Sequence, residues 1–248
     1  PVFDKAGDEL LFFTGSRGHH ADIGGITPGS MPPNSTNISQ EGIIIENFLL
    51  VEDNHFFEKE VKKLFQNSDY PSRNIDHNIA DLKAQVAACK KGIHELHDII
   101  DQYSTEIVLA YMGFVQDNAE KSIKNAITKL KNTSYTYEFD NNKKICVSII
   151  VDKKNEKIKI DFTGSSARDK GNFNTPFAVT TAAVLYVFRT LVADNIPLNA
   201  GCLKPINIII PQDSILNPIF PNAVVAGNVE TSQNITETLI GALKLSAG

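Results

Sequence analysis

The sequence has few cysteines, few arginines and no long apolar run, and each shortage excludes a class of protein. Three cysteines, Cys89, Cys146 and Cys202, lie far apart and form no C-x-x-C pair. A disulfide scaffold and zinc or dithiol redox motifs are therefore excluded. No apolar run reaches the roughly 18 residues of a membrane span, and a net charge of -5 does not give the basic surface that nucleic acids require. We expect a cytoplasmic protein without membrane or nucleic-acid partners.

Two further features of the sequence are its small number of arginines and its first residue. Arginine occurs only at positions 17, 73, 168 and 189, and lysine supplies the remaining positive charge. In a lysine-rich sequence an arginine can indicate the need for a planar bidentate donor, although a solvated surface position explains any one of them equally well. The chain starts at Pro1 without a signal peptide and ends in an amphipathic segment. We expect it to be a piece of a longer protein.

The first quarter of the chain predicts short elements around a long loop. Residues 9–14 (ELLFFT) predict a short buried strand, and residues 43–51 (IIIENFLLV) a second strand. Between them lies a stretch to about Gln40 that is dense in glycine, proline, serine and asparagine, and a loop of this length is usually functional or disordered. Residues 56–66 predict a short amphipathic helix.

Apolar residues at steps of three and four predict two long helices that are separated near Tyr103–Ser104. The first stripe consists of Ile75, Ile79, Leu82, Val86, Cys89, Ile93, Leu96 and Ile100. The second consists of Val108, Met112, Val115, Ala119, Ile123, Ala126 and Leu130. We expect these helices to form an antiparallel hairpin or to pack on a partner.

The second half of the chain mixes strands and helices. Alternating apolar residues over 134–163 predict strands joined by turns, Ile206–Ile210 predicts a strand, and 177–193 and 231–245 predict helices. The predicted class is α+β, with mixed strands and hairpins, a long helical hairpin and further packed helices. The predicted parts are a strand and active-site loop part, a helical hairpin and a strand/helix part, at residues 1–70, 71–131 and 132–248.

The densest polar constellation is Ser16–Gly25, which contains His19, His20 and Asp22. Imidazole and carboxylate groups close together suit a divalent metal or proton transfer. His20 and Asp22 share a face if the backbone is extended, whereas His19 and Asp22 do so in a helical turn. A catalytic metal needs at least three protein ligands, so others must come from elsewhere. The alternative is a pair of turn histidines that bond to neighbouring backbone.

Other polar groups are weaker candidates. His94, His97 and Asp98 have metal-compatible spacing but are expected on a solvated helix face. Cys202 follows a turn glycine and is a weak nucleophile candidate. The segment around Asn228 opens the last helix and could hold an anion, although a capped turn explains it equally well.

Several segments of the sequence resemble the hydantoinase B family, in its 5-oxoprolinase branch. They are Ser16–Ser30 (SRGHHADIGGITPGS) with Met31–Pro33 and Glu41–Gly42, then Ser72–Asn74, Asp81–Gly92, Ala110–Gly113, Pro197–Pro205 and Ala223–Gln233. The resemblance extends nearly from end to end. One departure is Asn234, where the family often has an arginine, and it puts in doubt an anion site at the last helix.

The resemblance implies part of an ATP-dependent enzyme that opens 5-oxo-L-proline to L-glutamate. ATP would be used by a hydantoinase A-type region, in the same chain or in a partner subunit, and no motif here binds it. A divalent metal ion (Mg, Mn or Zn) is implied, with His19 or His20 as ligand and Asp22 as a ligand or an orienting group. The upstream Asp/His motif of related subunits is absent from this sequence, so the isolated piece is expected to be inactive.

Three hypotheses follow for the function. In the first, His19, His20 and Asp22 are catalytic, Arg17 binds the substrate carboxylate, and Gly24, Gly25, Arg73 and Asn228 complete the lactam site. In the second, the family is the same but the reaction is hydantoin hydrolysis or ketone carboxylation. In the third, residues 75–131 act mainly as an assembly interface, with a homodimer as one possible result.

Overall fold

The computed structural model describes residues 1–245, which form two compact units. The first unit consists of Pro1–Pro32 and Ser39–Met112, and the second of Pro33–Ile38 and Gly113–Gly248. The chain therefore changes unit after residues 32, 38 and 112. The predicted boundary at residue 131 lies inside the second unit.

The first unit is built around helices and carries two small antiparallel strand pairs. Its elements are β1 (Val2–Phe3), β2 (Leu10–Phe12), β3 (Val51–Glu52), β4 (His55–Phe56), α1 (Glu58–Gln66) and α2 (Ile75–Tyr103). The turn between β3 and β4 has positive φ at Asp53 and Asn54, as a two-residue hairpin turn requires. The small apolar cluster of this unit centres on Val61, Phe65 and Ile79.

Two predicted strands of the first unit differ from the structure. Only Leu10–Phe12 of the first is a strand, and Phe13 is 76% exposed, so the predicted burial is wrong. Of the second, only Val51 belongs to a strand, and Ile44, Ile45 and Leu49 are exposed. An apolar run forms a strand only where another strand pairs with it. The sequence of the run does not show whether such a partner strand exists.

The break between the two long helices is confirmed. Asn74 caps α2 by accepting a hydrogen bond from the His77 backbone N–H. The helix ends at Tyr103, and the next residue, Ser104, has a φ of +73°. Helix α3 (Thr105–Ile127) follows directly and continues into the second unit. Within the first unit, Tyr103 and Ile107 on either side of the break are exposed.

The second unit packs helices on a four-stranded sheet. Its elements after α3 are β5 (Thr133–Glu138), β6 (Lys144–Asp152), β7 (Lys157–Asp161), α4 (Phe177–Thr190), β8 (Ile206–Ile209) and α5 (Thr231–Leu243). The sheet order is β5-β6-β7-β8, with antiparallel pairs except for the parallel pair β7-β8. The predicted strands over 134–163 and the last helix are confirmed.

Alternation along the strands produces the core of this unit. Ile145, Val147 and Ile149 of β6 and Ile158 and Ile160 of β7 are buried, whereas the residues between them are partly or wholly exposed. Helices α4 and α5 contribute the other side of the core. The parallel strand β8 follows the crossover through α4, a βαβ arrangement that the predicted mixture of strands and hairpins did not specify.

Among residues 1–245, no helix combines the length and the apolar character that a bilayer crossing requires.

Candidate functional site

The segment that carries the histidines runs along α2 toward the start of that helix. The Cβ that a side chain would add at Gly92 would lie 3.1 Å from Thr14, which shows how closely the segment approaches. Nearer the start of α2, the Gln85 side-chain amide donates to the carbonyl oxygen of Gly18 at 3.4 Å. His20 then meets the first turns of the helix. Residues 14–20 therefore run antiparallel to α2, and this helix positions residues 18–22 (GHHAD).

Asp22 organises the loop that follows. Its Oδ1 accepts from the Gly24 backbone N–H at 2.9 Å, and its Oδ2 accepts from the Gly29 backbone N–H at 2.9 Å. The Ser30 hydroxyl accepts from the Ile23 N–H and donates to the Gly24 carbonyl oxygen, both at 2.7 Å. Residues 22–30 thus form a closed loop around one carboxylate, which we call the Asp22 loop.

Arg73 fixes this loop to the segment before α2. Its guanidinium donates to Oδ2 of Asp22 at 2.8 Å and to the carbonyl oxygen of Gly25 at 2.9 Å. The Arg73 backbone N–H also lies 3.3 Å from Oδ1 of Asp22. Burial acts to raise the pKa of Asp22, but the hydrogen bonds from Gly24, Gly29 and Arg73 outweigh it and hold the pKa below its ordinary value. Asp22 is therefore an ionised acceptor whose two oxygens are occupied.

Gly24 and Gly25 are needed for backbone geometry. Their φ values are +91° and +88°, a region that favours glycine. A Cβ at Gly24 would lie 2.1 Å from the carbonyl oxygen of Tyr70, and one at Gly25 would lie 2.6 Å from that of Gln40. The same contacts carry hydrogen bonds from the Gly25 N–H to Tyr70 and from the Ile26 N–H to Gln40. The two glycines let the Asp22 loop pack directly against neighbouring backbone.

His20 is held by the first two turns of α2. Its side chain is only 13% exposed, and its Nδ1 lies 3.1 Å from Nδ2 of Asn78 and 3.5 Å from Oδ2 of Asp81. Asn78 is buried, and its Nδ2 also donates to the carbonyl oxygen of Asp22 at 2.8 Å. The Ser72 hydroxyl donates to Oδ1 of Asn78. One ring edge of His20 is therefore fixed by α2.

His19 and Arg17 differ from His20 in their surroundings. Both are exposed. His20 and Asp22 instead both have side chains that are mostly buried and that contact residues 72–81. The structure thus favours the extended alternative, in which positions 20 and 22 share a face. Arg17 is exposed, and its substrate role stays a prediction.

The described residues do not by themselves fit a metal centre. No group of three or more His, Cys, Asp or Glu side chains suitable for a metal ion occurs in residues 1–245. His20 and Asp81 provide one imidazole and one carboxylate, and the oxygens of Asp22 are already occupied by N–H donors. Any catalytic metal would need further donors from outside this set.

The remaining candidates lie elsewhere. Asn228 is an exposed residue of the second unit, and its carbonyl oxygen accepts from the Ser232 hydroxyl, four residues further on, at 2.7 Å. Within residues 1–245 no side chain caps the start of α5, so the structure does not show the capped turn. Cys202 is completely buried, so its thiol is a core group. Nε2 of His97 lies 2.8 Å from the carbonyl oxygen of Phe3, so this ring nitrogen already has a partner within the protein.

Sequence reasoning missed three residues that hold the site together, Ser72, Asn78 and Asp81. Two of them were within reach, because Ser72 and Asp81 lie in words that carry the family resemblance. Asn78 was detectable as a polar residue in phase with Ile75, Ile79 and Leu82, where a helix stripe buries its side chains.

Comparison with known proteins gives the same family over the whole chain. The family described as hydantoinase B/oxoprolinase matches residues 1–248. A 5-oxoprolinase of Dictyostelium discoideum is 45% identical over 98% of this chain and 19% of its own length. The chain spans about a fifth of the length of the curated 5-oxoprolinases that it matches.

Two solved structures share the fold. The ATP-dependent caprolactamase of Pseudomonas jessenii has a TM-score of 0.76 at 20% identity, over 91% of this chain and 40% of that one. Acetone carboxylase in its nucleotide-free form has a TM-score of 0.74 at 16% identity, over 92% of this chain and 32% of that one. With the match over the entire sequence, the chain belongs to the hydantoinase B/oxoprolinase family.

Proposed function

We propose that the chain is part of an ATP-dependent enzyme that opens 5-oxo-L-proline to L-glutamate, with the GHHAD segment at the reaction site. The observation that carries this proposal is the identity of 45% with a 5-oxoprolinase over nearly the whole chain. The geometry supports it, because the segment is fixed by contacts from α2 and from Arg73. Such fixing is what a preorganised site requires.

His20 is the residue to which we assign proton transfer. Its Nδ1 faces α2, so Nε2 is the ring nitrogen available to a reacting group. Lactam hydrolysis adds a water oxygen to the carbonyl carbon, breaks the C–N bond and leaves a proton on the nitrogen. Since the Asn78 amide donates to Nδ1, the neutral ring carries its proton on Nε2, and we assign to His20 the donation of that proton to the departing nitrogen. The proton lost by the attacking water returns to the ring through solvent. Arg17, exposed on the same segment, would bind the substrate carboxylate in a bidentate contact.

Asp22, Arg73, Gly24 and Gly25 support the site through the backbone. An ionised carboxylate that accepts hydrogen bonds on both oxygens is a weak base, so these bonds favour a positioning role for Asp22 over a role as base or ligand. Arg73 is committed to the same loop. The contribution that we assign to these residues is the shape of the Asp22 loop.

The metal ion and ATP belong to the larger assembly in this proposal. Binding of Mg, Mn or Zn through His19 or His20 would need donors beyond the described residues. ATP would be handled by a hydantoinase A-type region, in line with the five-fold greater length of the relatives. A cytoplasmic location fits the three free thiols, Cys89, Cys146 and Cys202.

The test is substitution in the full-length protein. His20→Ala should abolish most ATP-dependent glutamate formation from 5-oxo-L-proline, and His19→Ala and Asp22→Ala should each reduce it. His94→Ala, an exposed histidine on α2, is the matched control and should leave the rate unchanged. Full activity in all three site variants would refute the assignment. Residues 1–248 alone should show no turnover.

A second reaction within the family is favoured by the structural neighbours. The fold is shared with a caprolactamase and an acetone carboxylase. Hydantoin hydrolysis and ketone carboxylation are therefore the alternatives. A panel of 5-oxoproline, hydantoin and acetone, with product release measured for each, would separate the three reactions.

An assembly role is the alternative from another class of function. Ile99, Tyr103, Ile107, Leu109 and Tyr111 of the first unit all expose large apolar side chains on two consecutive helices. A helix that is apolar on several sides is usually buried against something. Light scattering of the full-length protein would test for a homodimer, and a monomer would count against this role.

A further inference from the structure

A cavity in the second unit is lined largely by lysines. It has a volume of about 270 Å³ and lies between the segment that joins α3 to β5 and the end of α5, where Lys129, Lys131 and Lys244 line it. A second hollow adjoins it, shares Lys131 and adds Lys153 from the turn after β6. We call these four residues the lysine cluster. Because the whole chain carries a net charge of -5, the cluster is a local reversal of sign.

The lysine cluster has no matching set of carboxylates. Among the described residues, Asp152 is the one carboxylate that lines either hollow. Its Oδ1 accepts from the backbone N–H groups of Lys154 and Asn155, and its Oδ2 accepts from the Asn155 side-chain amide at 2.6 Å. Within residues 1–245, no side chain of the cluster forms an ion pair, whereas Lys124 of the same unit pairs with Glu120. The positive charge of the cluster is therefore left largely uncompensated.

The ends of the neighbouring helices do not account for these lysines. Lysine is common at helix C-termini, because it can bond to the free carbonyl oxygens there and offset the helix dipole. The last four carbonyl oxygens of α3 all have partners already, three of them backbone N–H groups and the fourth the Thr128 hydroxyl. At the end of α5, the Gly241 carbonyl oxygen accepts from the Lys244 backbone N–H. The Ala242 carbonyl oxygen accepts from the Thr133 hydroxyl. The ammonium groups are thus not needed as caps.

The charges that line the two hollows leave an excess of about two positive charges. The four lysines contribute +4 and Asp152 contributes -1, and the two helix C-termini together contribute about -1. Ammonium groups that share a small cavity repel one another, and a bound dianion would remove that repulsion. A phosphate group carries about -1.5 to -2 at pH 7 and offers three acceptor oxygens. Lysine binds phosphate as a point charge.

We propose that the lysine cluster is a binding site for a phosphate group, supplied either by inorganic phosphate or by a nucleotide. Lys129, Lys131 and Lys244 would contact the phosphate oxygens inside the cavity, and Lys153 would add positive charge at its edge. The volume of about 270 Å³ suits a phosphate group with little attached to it. The site belongs to the second unit, whereas the lactam chemistry is assigned to the first. Binding can be measured without turnover, so its test is independent of the proposed function.

The first test is the protection of the lysine cluster from acetylation in the full-length protein. N-hydroxysuccinimide acetate modifies accessible amines, and peptide mass spectrometry gives the labelling of Lys129, Lys131 and Lys244 relative to Lys63. Lys63 is an exposed lysine of the first unit and serves as internal reference. Millimolar inorganic phosphate should lower the relative labelling several-fold. Sodium chloride at the same ionic strength should leave it unchanged, because general screening does not occupy a site.

Substitution of Lys131, which lines both hollows, is the second test. Lys131→Glu should abolish the protection of Lys129 and Lys244, whereas Lys131→Arg should keep it. Lys170→Glu makes the same change of charge at an exposed lysine of the same unit and should keep the protection. Its neighbour Asp169 pairs with Lys143, which directly precedes β6, and the cluster lies beyond the other end of that nine-residue strand. Circular dichroism shows whether each variant is folded.

A comparison of ATP with inorganic phosphate at equal concentration distinguishes the two sources of the phosphate group. Stronger protection by ATP would identify a nucleotide, and equal or stronger protection by inorganic phosphate would identify the free anion. Either result supports the site when Lys131→Glu abolishes it. The proposal is overturned if neither compound protects the cluster, if sodium chloride protects it equally, or if the protection persists in folded Lys131→Glu.

Discussion

The two units are held together by different interactions. In the second unit, an alternating sheet and the helices α3, α4 and α5 enclose a large apolar core, with Phe162 and Phe188 completely buried. In the first unit, the apolar cluster is small. The Asp22 loop of this unit is held by side-chain hydrogen bonds to backbone and by one ion pair, and it contains three glycines with positive φ. A substitution in the second unit should lower stability in proportion to the buried volume that it removes. The Asp22 loop instead depends on single side chains and single glycines.

The two kinds of interaction suit different tasks, since one stabilises a fold and the other positions side chains. Apolar burial is non-directional and forgiving in detail, so it stabilises a fold without fixing any one side chain to a fraction of an ångström. Hydrogen bonds and close backbone contacts fix direction, and a polar network that loses a member loses much of its geometry. The segment with the candidate chemistry lies where direction is controlled.

The largest effect should come from the apolar core. Phe162→Ala removes a completely buried ring and should lower the free energy of unfolding by about 3–5 kcal/mol. Phe177→Ala, at a ring of the same unit that is 52% exposed, should cost well under half as much. Urea unfolding monitored by circular dichroism measures both. Equal losses would show that burial does not separate these positions.

The next effect should come from Gly24. Gly24→Ala adds the strain of a positive φ, about 1–2 kcal/mol, to a collision with the Tyr70 carbonyl oxygen. Gly7→Ala has a similar φ of +83° and open space around it, so it isolates the strain. Hydrogen exchange of peptides from residues 16–30 should rise strongly only in Gly24→Ala. Similar exchange in both variants would contradict the close packing of the loop.

A smaller effect should come from the two ion pairs of arginine. Arg73→Ala leaves the mostly buried Asp22 without its charged partner and should destabilise the first unit by about 1–3 kcal/mol. Arg168→Ala breaks an exposed pair with Asp213 in the second unit and should cost at most about 1 kcal/mol. Thermal unfolding of both variants gives the comparison. A larger loss at Arg168 would reverse it.

The smallest effect concerns acid. The folded pKa of Asp22 lies below its ordinary value, so its contribution to stability is present above the unfolded pKa of about 3.9 and is lost as the pH falls through the folded pKa. Unfolding free energies at pH 7 and at low pH should therefore differ less in Asp22→Asn than in the unmodified chain. An identical loss in both would show that this carboxylate does not contribute to acid sensitivity.

Sequence patterns predicted the scaffold better than the site. The helix stripes located α2, α3 and the break at Ser104, and alternation located β6 and β7, because periodic burial leaves a periodic sequence. The run at residues 43–51 misled because strand formation depends on a neighbour that is distant in sequence. The parallel pairing of β8 was missed for the same reason.

The sequence singled out candidate residues for the site, but it did not indicate which of them contact each other. Asp22 and Arg73 were both singled out, yet no local pattern indicates that they pair across fifty-one positions. Asn78 and Asp81 lie near His20 only in the folded structure, where residues 14–20 run along α2. Hydrogen bonds between distant side chains leave no period in a sequence.

The alternation of the chain between the two units limits how the protein can be taken apart. Pro33–Ile38 belongs to the second unit, where the Asn172 side-chain amide donates to the Ser35 hydroxyl at 3.2 Å and Asn37 pairs with Asn222. A single cut after residue 112 would therefore remove six residues, among them the buried Ser35, from the unit that it was meant to isolate. Recombination with a relative would likewise have to exchange this short loop together with the distant segment on which it packs.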